Sequence, residues 1–144
     1  MALRIAVDAR SLSEKITGIS RYTVETLSRM SKYGHSWYLY SHRPFIHLDW
    51  LGSNVHIRHY DWQSRRSRML WAQTVLPYWA QRDQVNLFWS PSHRIPQLLS
   101  HRIARVVTIH DLVWKNAGLT MRPLSRWMDR HLMPMAARLA DQVI

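Results

Sequence analysis

The sequence predicts an α/β protein built on a doubly wound, mostly parallel β-sheet. Two observations lead to this class: short runs of β-branched and aromatic residues alternate with helical patterns over nearly the whole chain, and polar residues follow three of these runs. In open parallel sheets the carboxyl ends of the strands form the crevice where ligands bind, so the polar residues also predict where a site lies.

The first predicted unit is a strand at residues 3–8 followed by a helix. The helical spacing of apolar residues extends to about Tyr33, Ser20 is the expected N-cap, and Gly34 is the expected terminator. Gly18 precedes this helix, where backbone N–H groups and the positive end of the helix dipole favour a phosphate. A single glycine is equally typical of a plain turn, so both interpretations of Gly18 stay open.

The middle of the chain predicts three strands and a second helix. The helix is expected at residues 69–82, and Pro77 should kink or split it. The loop before it carries the run Arg65-Arg66-Ser67-Arg68, which is typical of a solvated face and is alternatively an anion site. The last of the three strands ends in a polar cluster at residues 90–96. The strands are expected at residues 37–40, 55–58 and 85–89.

The stretch from Ala104 to Trp114 is the centre of the prediction. Its β-branched run, residues 105–109, is typical of a strand buried on both faces, and His110 and Asp111 follow it directly. His110 is therefore the first catalytic candidate, although a histidine after a strand is more often a satisfied hydrogen-bonding residue. Asp111 is explained as well by the cap of a turn or helix.

A last helix is expected from Arg122 to Ala140, with a kink near Pro134. Residues 142–144 resemble the opening of another strand. A sheet whose next strand has only just begun looks interrupted, so we expect the chain to be the front part of a longer protein. The residues expected to face inward from the helix are Leu124, Trp127, Met128, Leu132, Met135 and Leu139.

Composition restricts the partners of the chain. Lys+Arg number 20 against Asp+Glu 9, a formal net charge of +11, and the planar fork of arginine suits phosphate and carboxylate. Nucleic acid, an anionic membrane surface and a phosphorylated small molecule all fit this charge. The absence of cysteine excludes disulfides and Cys-ligated metal sites. No apolar stretch approaches the roughly 20 residues of a membrane span, so the expected location is the cytoplasm.

Six motifs of the sequence match one known family in order and spacing. They are Asp8-Ala9-Arg10, residues 17–22, Leu70-Trp71 with Pro77 downstream, residues 90–96, residues 108–114 and residues 140–144. Together they resemble the N-terminal domain of family 4 glycosyltransferases. The subgroup that they resemble most includes mannosyltransferases of bacterial polysaccharide and lipopolysaccharide assembly. The resemblance covers essentially the whole chain.

The resemblance implies a retaining enzyme of the GT-B type, with two Rossmann-like domains facing across a cleft. Residues 1–144 would be the N-terminal, acceptor-side domain, incomplete at its C-terminal end, and the nucleotide-sugar domain would be absent, so this chain alone is not expected to turn over. The implied donor is a nucleotide-sugar such as GDP-mannose, and the implied acceptor is a glycan or a lipid-linked glycan. No metal and no separate cofactor are implied.

The resemblance also assigns roles to individual residues. It implies that Gly18 donates its backbone N–H to the donor diphosphate. It implies that His110 lies near the transferred sugar and acts by hydrogen bonding and electrostatic stabilisation rather than as a base. Ser20 departs from the family pattern, where many relatives have a second glycine. The implied substrate-binding residues are Arg21, Ser90, His93, Arg94 and Asp111.

Two other functions stay open. The charge and the arginine–aromatic mix also fit a nucleic-acid-binding α/β module, although the basic residues are spread among loops and helices instead of one face. The second open possibility is that the chain is a stable scaffold with no activity of its own. Within the transferase interpretation, the basic, aromatic-rich surface predicts peripheral contact with the anionic inner face of the cytoplasmic membrane.

Overall fold

The computed structural model of the chain describes residues 1–46, 48–64 and 66–144, and within them six parallel strands form one sheet. The strands are β1 (Arg4–Asp8), β2 (Ser36–Ser41), β3 (Val55–His59), β4 (Leu87–Ser90), β5 (Ala104–Val107) and β6 (Gln142–Val143). Their order in the sheet is β3-β2-β1-β4-β5-β6. This is the doubly wound order of a Rossmann-like fold, and its switch point lies between β1 and β4. The predicted α/β class and parallel sheet are confirmed.

Four α-helices connect the strands within the described residues. They are α1 (Gly18–Met30), α2 (Arg68–Arg82), α3 (Val113–Asn116) and α4 (Pro123–Leu139), with 3₁₀ turns at Arg10–Ser13 and Gly118–Thr120. Helix α2 runs through Pro77 without a break, so of the two expected effects of Pro77, a kink or a split, the split does not occur. None of the helices in the described ranges combines the length and the apolar composition that a membrane span requires.

Helix α1 begins earlier than its sequence predicts. Its N-cap is Thr17 and not Ser20, which occupies the third helical position. The backbone N–H of Ser20 donates to Thr17 Oγ1 at 3.3 Å, and the backbone N–H of Thr17 donates to Ser20 Oγ at 2.6 Å. This reciprocal pair is a capping box, in which serine replaces the usual glutamate. The helix ends at Met30, before Gly34.

The core lies on both faces of the sheet because alternate residues of each strand point to opposite sides. Along β1, Ile5 and Val7 pack with Leu27 of α1, whereas Ala6 packs toward α2. The large aromatic residues divide in the same way. Trp37 and Trp89 lie on the α1 side, and Tyr38, Tyr40, Trp71, Trp79 and Phe88 lie on the α2 side.

Only the C-terminal half of α4 packs on the sheet. Met133 and Ala136 are buried, and Ala136 contacts the cluster around Val107. Leu124 and Trp127 are 69% and 60% exposed, so the expectation that they face inward is wrong. The apolar spacing of a helix shows which side is apolar, but it does not show how far the underlying sheet extends.

Asp83, the residue directly after α2, connects that helix to three strands. Asp83, 4% exposed, accepts a hydrogen bond of 2.7 Å from the Tyr40 hydroxyl and a bidentate pair from Arg58, with Nε at 2.7 Å. Arg4 Nε donates to the Asp83 carbonyl at 2.9 Å. Burial alone would raise the pKa of Asp83, but the hydrogen bonds from Arg58 and Tyr40 outweigh it and hold the pKa below its usual range.

We expect Asp83→Asn to destabilise the fold by about 2–4 kcal/mol, toward the low end because Arg58 is partly exposed. Since the pKa of Asp83 is lowered in the folded state, its contribution is complete above about pH 4 and is lost as the pH falls further. Urea unfolding at pH 7 and pH 3 measures both effects. The control is Glu25→Gln, which removes an exposed partner of Arg29 and should change stability by less than about 0.5 kcal/mol. Equal losses in the two variants would contradict this prediction.

Candidate ligand-binding site

His110 follows β5 at the carboxyl edge of the sheet, and two contacts fix its ring. Its Nε2 lies 2.7 Å from the Pro91 carbonyl oxygen, and the Tyr22 ring meets it edge-on with centroids 4.9 Å apart. A carbonyl only accepts hydrogen bonds, so Nε2 carries the hydrogen, and in the neutral form of the ring Nδ1 is the acceptor. The residue as a whole is exposed, so a ligand can reach it.

Hydrogen bonds join the loop after β4 to the end of β5. The Thr108 N–H donates to the Ser90 carbonyl at 2.9 Å, and the His93 N–H donates to the Thr108 carbonyl at 3.1 Å. Trp89 Nε1 donates to Thr108 Oγ1 at 3.1 Å. The two polar clusters that the sequence predicted at strand ends are therefore neighbours. His93 has a φ of 50°, a left-handed conformation that costs a non-glycine residue about 1–2 kcal/mol.

Asp129 of α4 connects that helix to the same loop. Its Oδ1 accepts a 2.9 Å hydrogen bond from Arg94 Nη2 and lies 3.7 Å from His93 Nε2. Burial lowers the pKa of His93, and the charge of Arg94 acts in the same direction, against the attraction of Asp129. The sequence analysis missed Asp129. One feature of the sequence could have indicated it: Asp129 is the single acidic residue between positions 123 and 139, a segment otherwise rich in arginine.

Asp8, the last residue of β1, forms an ion pair with Arg10. Asp8 is 1% exposed and accepts two hydrogen bonds from Arg10, from Nε at 2.8 Å and from Nη2 at 2.7 Å. Burial would lower the pKa of Arg10, but the Asp8 charge and hydrogen bonds raise it, so the guanidinium keeps its charge. The sequence pointed to this motif without giving Arg10 a role.

Arg10, His93 and Arg94 line an open cleft of about 300 Å³ at the switch point of the sheet, and His110 is not among its lining residues. We call it the arginine cleft, because Arg10, Arg68 and Arg94 reach it from three different segments. Arg68 forms an ion pair there with Glu14. Its neighbour Arg65, part of the predicted basic loop, lies outside the described residues. The other lining residues are Ser11, Thr17, Ile19, Ser92 and His93.

Gly18 is the first residue of α1, between two residues that line the cleft. A Cβ atom at Gly18 would meet no atom within 4 Å, and its φ is not positive. The fold therefore does not require glycine at this position. The Gly18 and Ile19 backbone N–H groups have no hydrogen-bond partner among the described residues, as expected for the first turn of a helix.

The remaining predicted residues lie apart from the cleft surface. Arg21 is exposed and lines a different groove, beside Ile16 and Ile46, which shares Ser11 and Glu14 with the cleft. Ser90 is fully buried, and its hydroxyl has no partner within the described part of the chain. Asp111 Oδ1 accepts the Val113 N–H at 3.1 Å, so the capping interpretation accounts for its side chain.

These observations define the class of the protein: a Rossmann-like α/β domain with an arginine-lined cleft at the carboxyl edge of its sheet. Comparison of the chain with models of known protein families and with curated proteins finds no match. Among the described residues, no group of three histidine or acidic side chains is placed to hold a metal ion. The fold and the cleft are therefore the basis for any functional argument.

His42 directly follows β2 and lies beside Glu14, which lines the cleft. It is 1% exposed, and neither ring nitrogen has a hydrogen-bond partner among the described residues. Glu14 Oε1 is 3.7 Å from Nε2 and favours the charged ring, while Arg68 and Arg10 oppose it. Burial, followed by these arginines, lowers the pKa of His42 to about 4.

We expect His42 to weaken the fold in mild acid. Its pKa is about 4 in the folded state against 6.5 normally, so the unfolded chain binds a proton first and stability falls by up to about 3 kcal/mol between pH 6.5 and pH 4. His42→Phe should flatten this part of the stability profile, measured by urea unfolding at several pH values. The exposed control His101→Gln should keep the wild-type slope. An unchanged slope in His42→Phe would refute the assignment.

Proposed function

We propose that this chain is the acceptor-side domain of a retaining glycosyltransferase of the GT-B type. The enzyme would transfer a hexose, with mannose the leading candidate, from a nucleotide-sugar such as GDP-mannose to a glycan or lipid-linked acceptor. The observation that carries the proposal is His110. Its imidazole is exposed at the carboxyl edge of the sheet, and contacts with Pro91 and Tyr22 fix its orientation and tautomer.

The geometry of His110 suits a binding role in such a reaction. In same-face attack the leaving diphosphate takes the proton of the attacking hydroxyl, so no side-chain base is needed. Because Nε2–H is committed to the Pro91 carbonyl, Nδ1 of the neutral ring can accept a hydrogen bond from a sugar hydroxyl. A fixed acceptor of this kind orients the transferred sugar without reorganisation during the reaction.

The start of α1 supports the proposed diphosphate contact. The N–H groups of Gly18 and Ile19 are without partners among the described residues, and the helix dipole favours an anion beside them. Glycine is generally less favourable than alanine in a helix, and the fold gives no steric reason for it here. The close approach of a phosphate to the backbone would explain why glycine occupies this position.

We expect His110→Ala to reduce mannose transfer from GDP-mannose to a lipid-linked acceptor by at least about a hundredfold, or about 2.7 kcal/mol of transition-state stabilisation. The assay uses radiolabelled donor and the two-domain protein that this proposal requires. His101→Ala, which changes an exposed histidine before β5, is the control and should leave the rate unchanged. Equal rates for His110→Ala and the wild-type protein would remove His110 from the chemistry.

We also propose that the domain contacts an anionic membrane through one surface of α4 and the turn before it. Leu119 is 93% exposed and Trp127 is 60% exposed. Arg126 and Arg130 line the same surface as these two residues, and we call this surface the α4 patch. Exposed tryptophan beside arginine and apolar side chains is the combination typical of a membrane interface.

The α4 patch predicts reversible binding to vesicles that contain anionic lipid. Each basic residue near such a surface contributes about 1 kcal/mol. The double variant Arg126→Gln/Arg130→Gln should therefore bind roughly thirtyfold more weakly at low salt. Sedimentation with phosphatidylglycerol and phosphatidylcholine vesicles measures this. The control is the double variant Lys32→Gln/Arg102→Gln, in which both replaced residues are also exposed, and it should bind like the wild-type chain. Equal binding to both vesicle types would exclude the proposed contact.

A further inference from the structure

The edge of the sheet at β3 carries another groove, distinct from the arginine cleft. Strand β3 is the outermost strand on its side of the sheet, and one side of α2 supplies the other wall. The groove has a volume of about 520 Å³, and its described lining shares no residue with that of the arginine cleft. We call it the β3 groove. Residues 57–60 line it together with Val75, Tyr78, Trp79 and Arg82 of α2.

Tyr60 presents a fixed aromatic surface in the β3 groove. Its ring stacks on the ring of Trp79, with centroids 5.9 Å apart and planes only 8° apart. Trp79 is 6% exposed and packs edge-on against Trp71, so the support beneath Tyr60 is itself buried. Tyr60 is 57% exposed, and because one face lies on Trp79, the other face is the one open to a ligand. A planar ligand can therefore stack on a ring that is already ordered, which lowers the entropic cost of binding.

Three arginines lie around a single carboxylate beside this ring. Arg58 forms the bidentate ion pair with the Asp83 carboxylate, and Arg4 donates from Nε to the Asp83 carbonyl at 2.9 Å. Arg82 precedes Asp83, is exposed, and has no side-chain partner within the described part of the chain. Asp83 compensates one of the three charges and leaves two. The surface therefore attracts anions, and the free guanidinium of Arg82 suits a phosphate.

The residues of β3 that lie on the α2 side of the sheet form a row of rings and charge. His56, Arg58 and Tyr60 are alternate residues, so they lie on one face, about 6.6 Å apart along the chain. The strand pairing extends to Tyr60, whose N–H donates to the Ser41 carbonyl at 3.2 Å. The exposed His56 ring stacks on Tyr38, with centroids 4.8 Å apart. This spacing is comparable to the distance between successive nucleotides of an extended single strand.

The chemistry of the groove favours a nucleotide strand over other anions and over sugars. Guanidinium groups only donate hydrogen bonds, whereas the hydroxyls of a neutral sugar need both donors and acceptors. Stacking on a tyrosine ring requires a planar partner, which an acidic polysaccharide lacks. In a duplex the bases stack on each other and are not available to Tyr60. Unpaired bases joined by phosphates match both the open ring and the arginines.

We propose that the β3 groove binds single-stranded nucleic acid. A base stacks on Tyr60, and the neighbouring phosphates bind Arg58 and Arg82. Sequence is not read by this arrangement, because every base has a face that can stack and the arginines contact the backbone. The site lies outside the arginine cleft and does not depend on the proposed sugar transfer.

Fluorescence anisotropy of the wild-type chain with labelled oligonucleotides tests the proposal. A twelve-nucleotide oligothymidine should bind at least about tenfold more tightly than an abasic strand of equal length, which has the phosphates without the bases. It should also bind at least about tenfold more tightly than the same strand paired with oligoadenosine. The slope of log affinity against log salt concentration should be about −2, as expected for three phosphate contacts of a single strand.

Variants of Tyr60 separate stacking from charge. Tyr60→Ala should weaken the binding of oligothymidine at least about fivefold without changing the binding of the abasic strand, because only the stacked base loses its partner. Tyr60→Phe keeps the ring and should bind oligothymidine like the wild-type chain. The matched control is Tyr33→Ala, since Tyr33 is 67% exposed and lies just after α1. Thermal unfolding of each variant verifies its fold.

Variants of charge test the phosphate contacts. Arg82→Gln should weaken the binding of both strands equally and make the salt slope shallower by about 0.7, the contribution of one phosphate. Arg102→Gln, which changes another exposed arginine, is the control and should bind like the wild-type chain. Asp61→Asn removes an exposed carboxylate next to Tyr60 and should strengthen binding. Arg82→Gln decides the question if Tyr60→Ala does not fold.

Several outcomes would overturn the proposed site. Equal affinities for oligothymidine and the abasic strand would show that the surface selects charge alone, and equal affinities for the single strand and the duplex would exclude stacking on Tyr60. The site is also wrong if Tyr60→Ala behaves like Tyr33→Ala, or if Arg82→Gln behaves like Arg102→Gln. None of these measurements involves sugar transfer, so their failure leaves the proposed function in place, and a failed transfer assay leaves this site in place.

Discussion

The common direction of the six strands is the constraint on which the rest of the molecule depends. Because every strand pairs in parallel, every connection must return to the same edge, and all carboxyl ends lie together. Arg10, His93 and His110 follow β1, β4 and β5, which are neighbours in the sheet although they span 100 residues of sequence. The switch between β1 and β4 sends neighbouring connections to opposite faces and leaves the crevice between them.

The cations of this crevice are held by carboxylates of graded burial. Asp8 is almost inaccessible, Asp129 is slightly exposed and Glu14 is nearly half exposed. A buried carboxylate fixes its arginine, since separation would leave a charge without solvent or partner. An exposed carboxylate is readily exchanged for water or another anion. The arginine cleft therefore combines guanidinium groups in fixed positions with one that can change its partner, without requiring a backbone movement.

The sequence predicted the parallel sheet and the position of His110 after a strand because the signals for both are local. A β-branched run followed by His110 identifies the end of a buried strand without any knowledge of the neighbouring strands. Asp129 was missed, and Arg68 was noted only as part of a basic run with two interpretations. A helical residue reaches the site only through the rotation and tilt of its helix, which tertiary packing sets. The exposure of Trp127 was missed for a related reason, since it depends on where the sheet ends beneath α4. The Asp83 cluster likewise depends on contacts between distant segments.

Unsatisfied polar groups indicate which edge of the sheet is specialised. Ten buried side-chain nitrogen and oxygen atoms have no partner among the described residues. Six of them belong to Ser11, His42, Arg43, Ser90 and His93, which lie after the carboxyl ends of β1, β2 and β4 or at the end of β4, and the other four belong to Trp37, Trp50, Trp71 and Arg105. His93 also holds a left-handed backbone conformation there. A buried polar group without a partner and a left-handed backbone conformation each lower the stability of the fold. Natural proteins often keep such features at sites where a ligand binds. The large aromatic core on both faces of the sheet offsets them. The uneven distribution therefore favours the carboxyl edge, near the β4–β5 connection, as the binding surface.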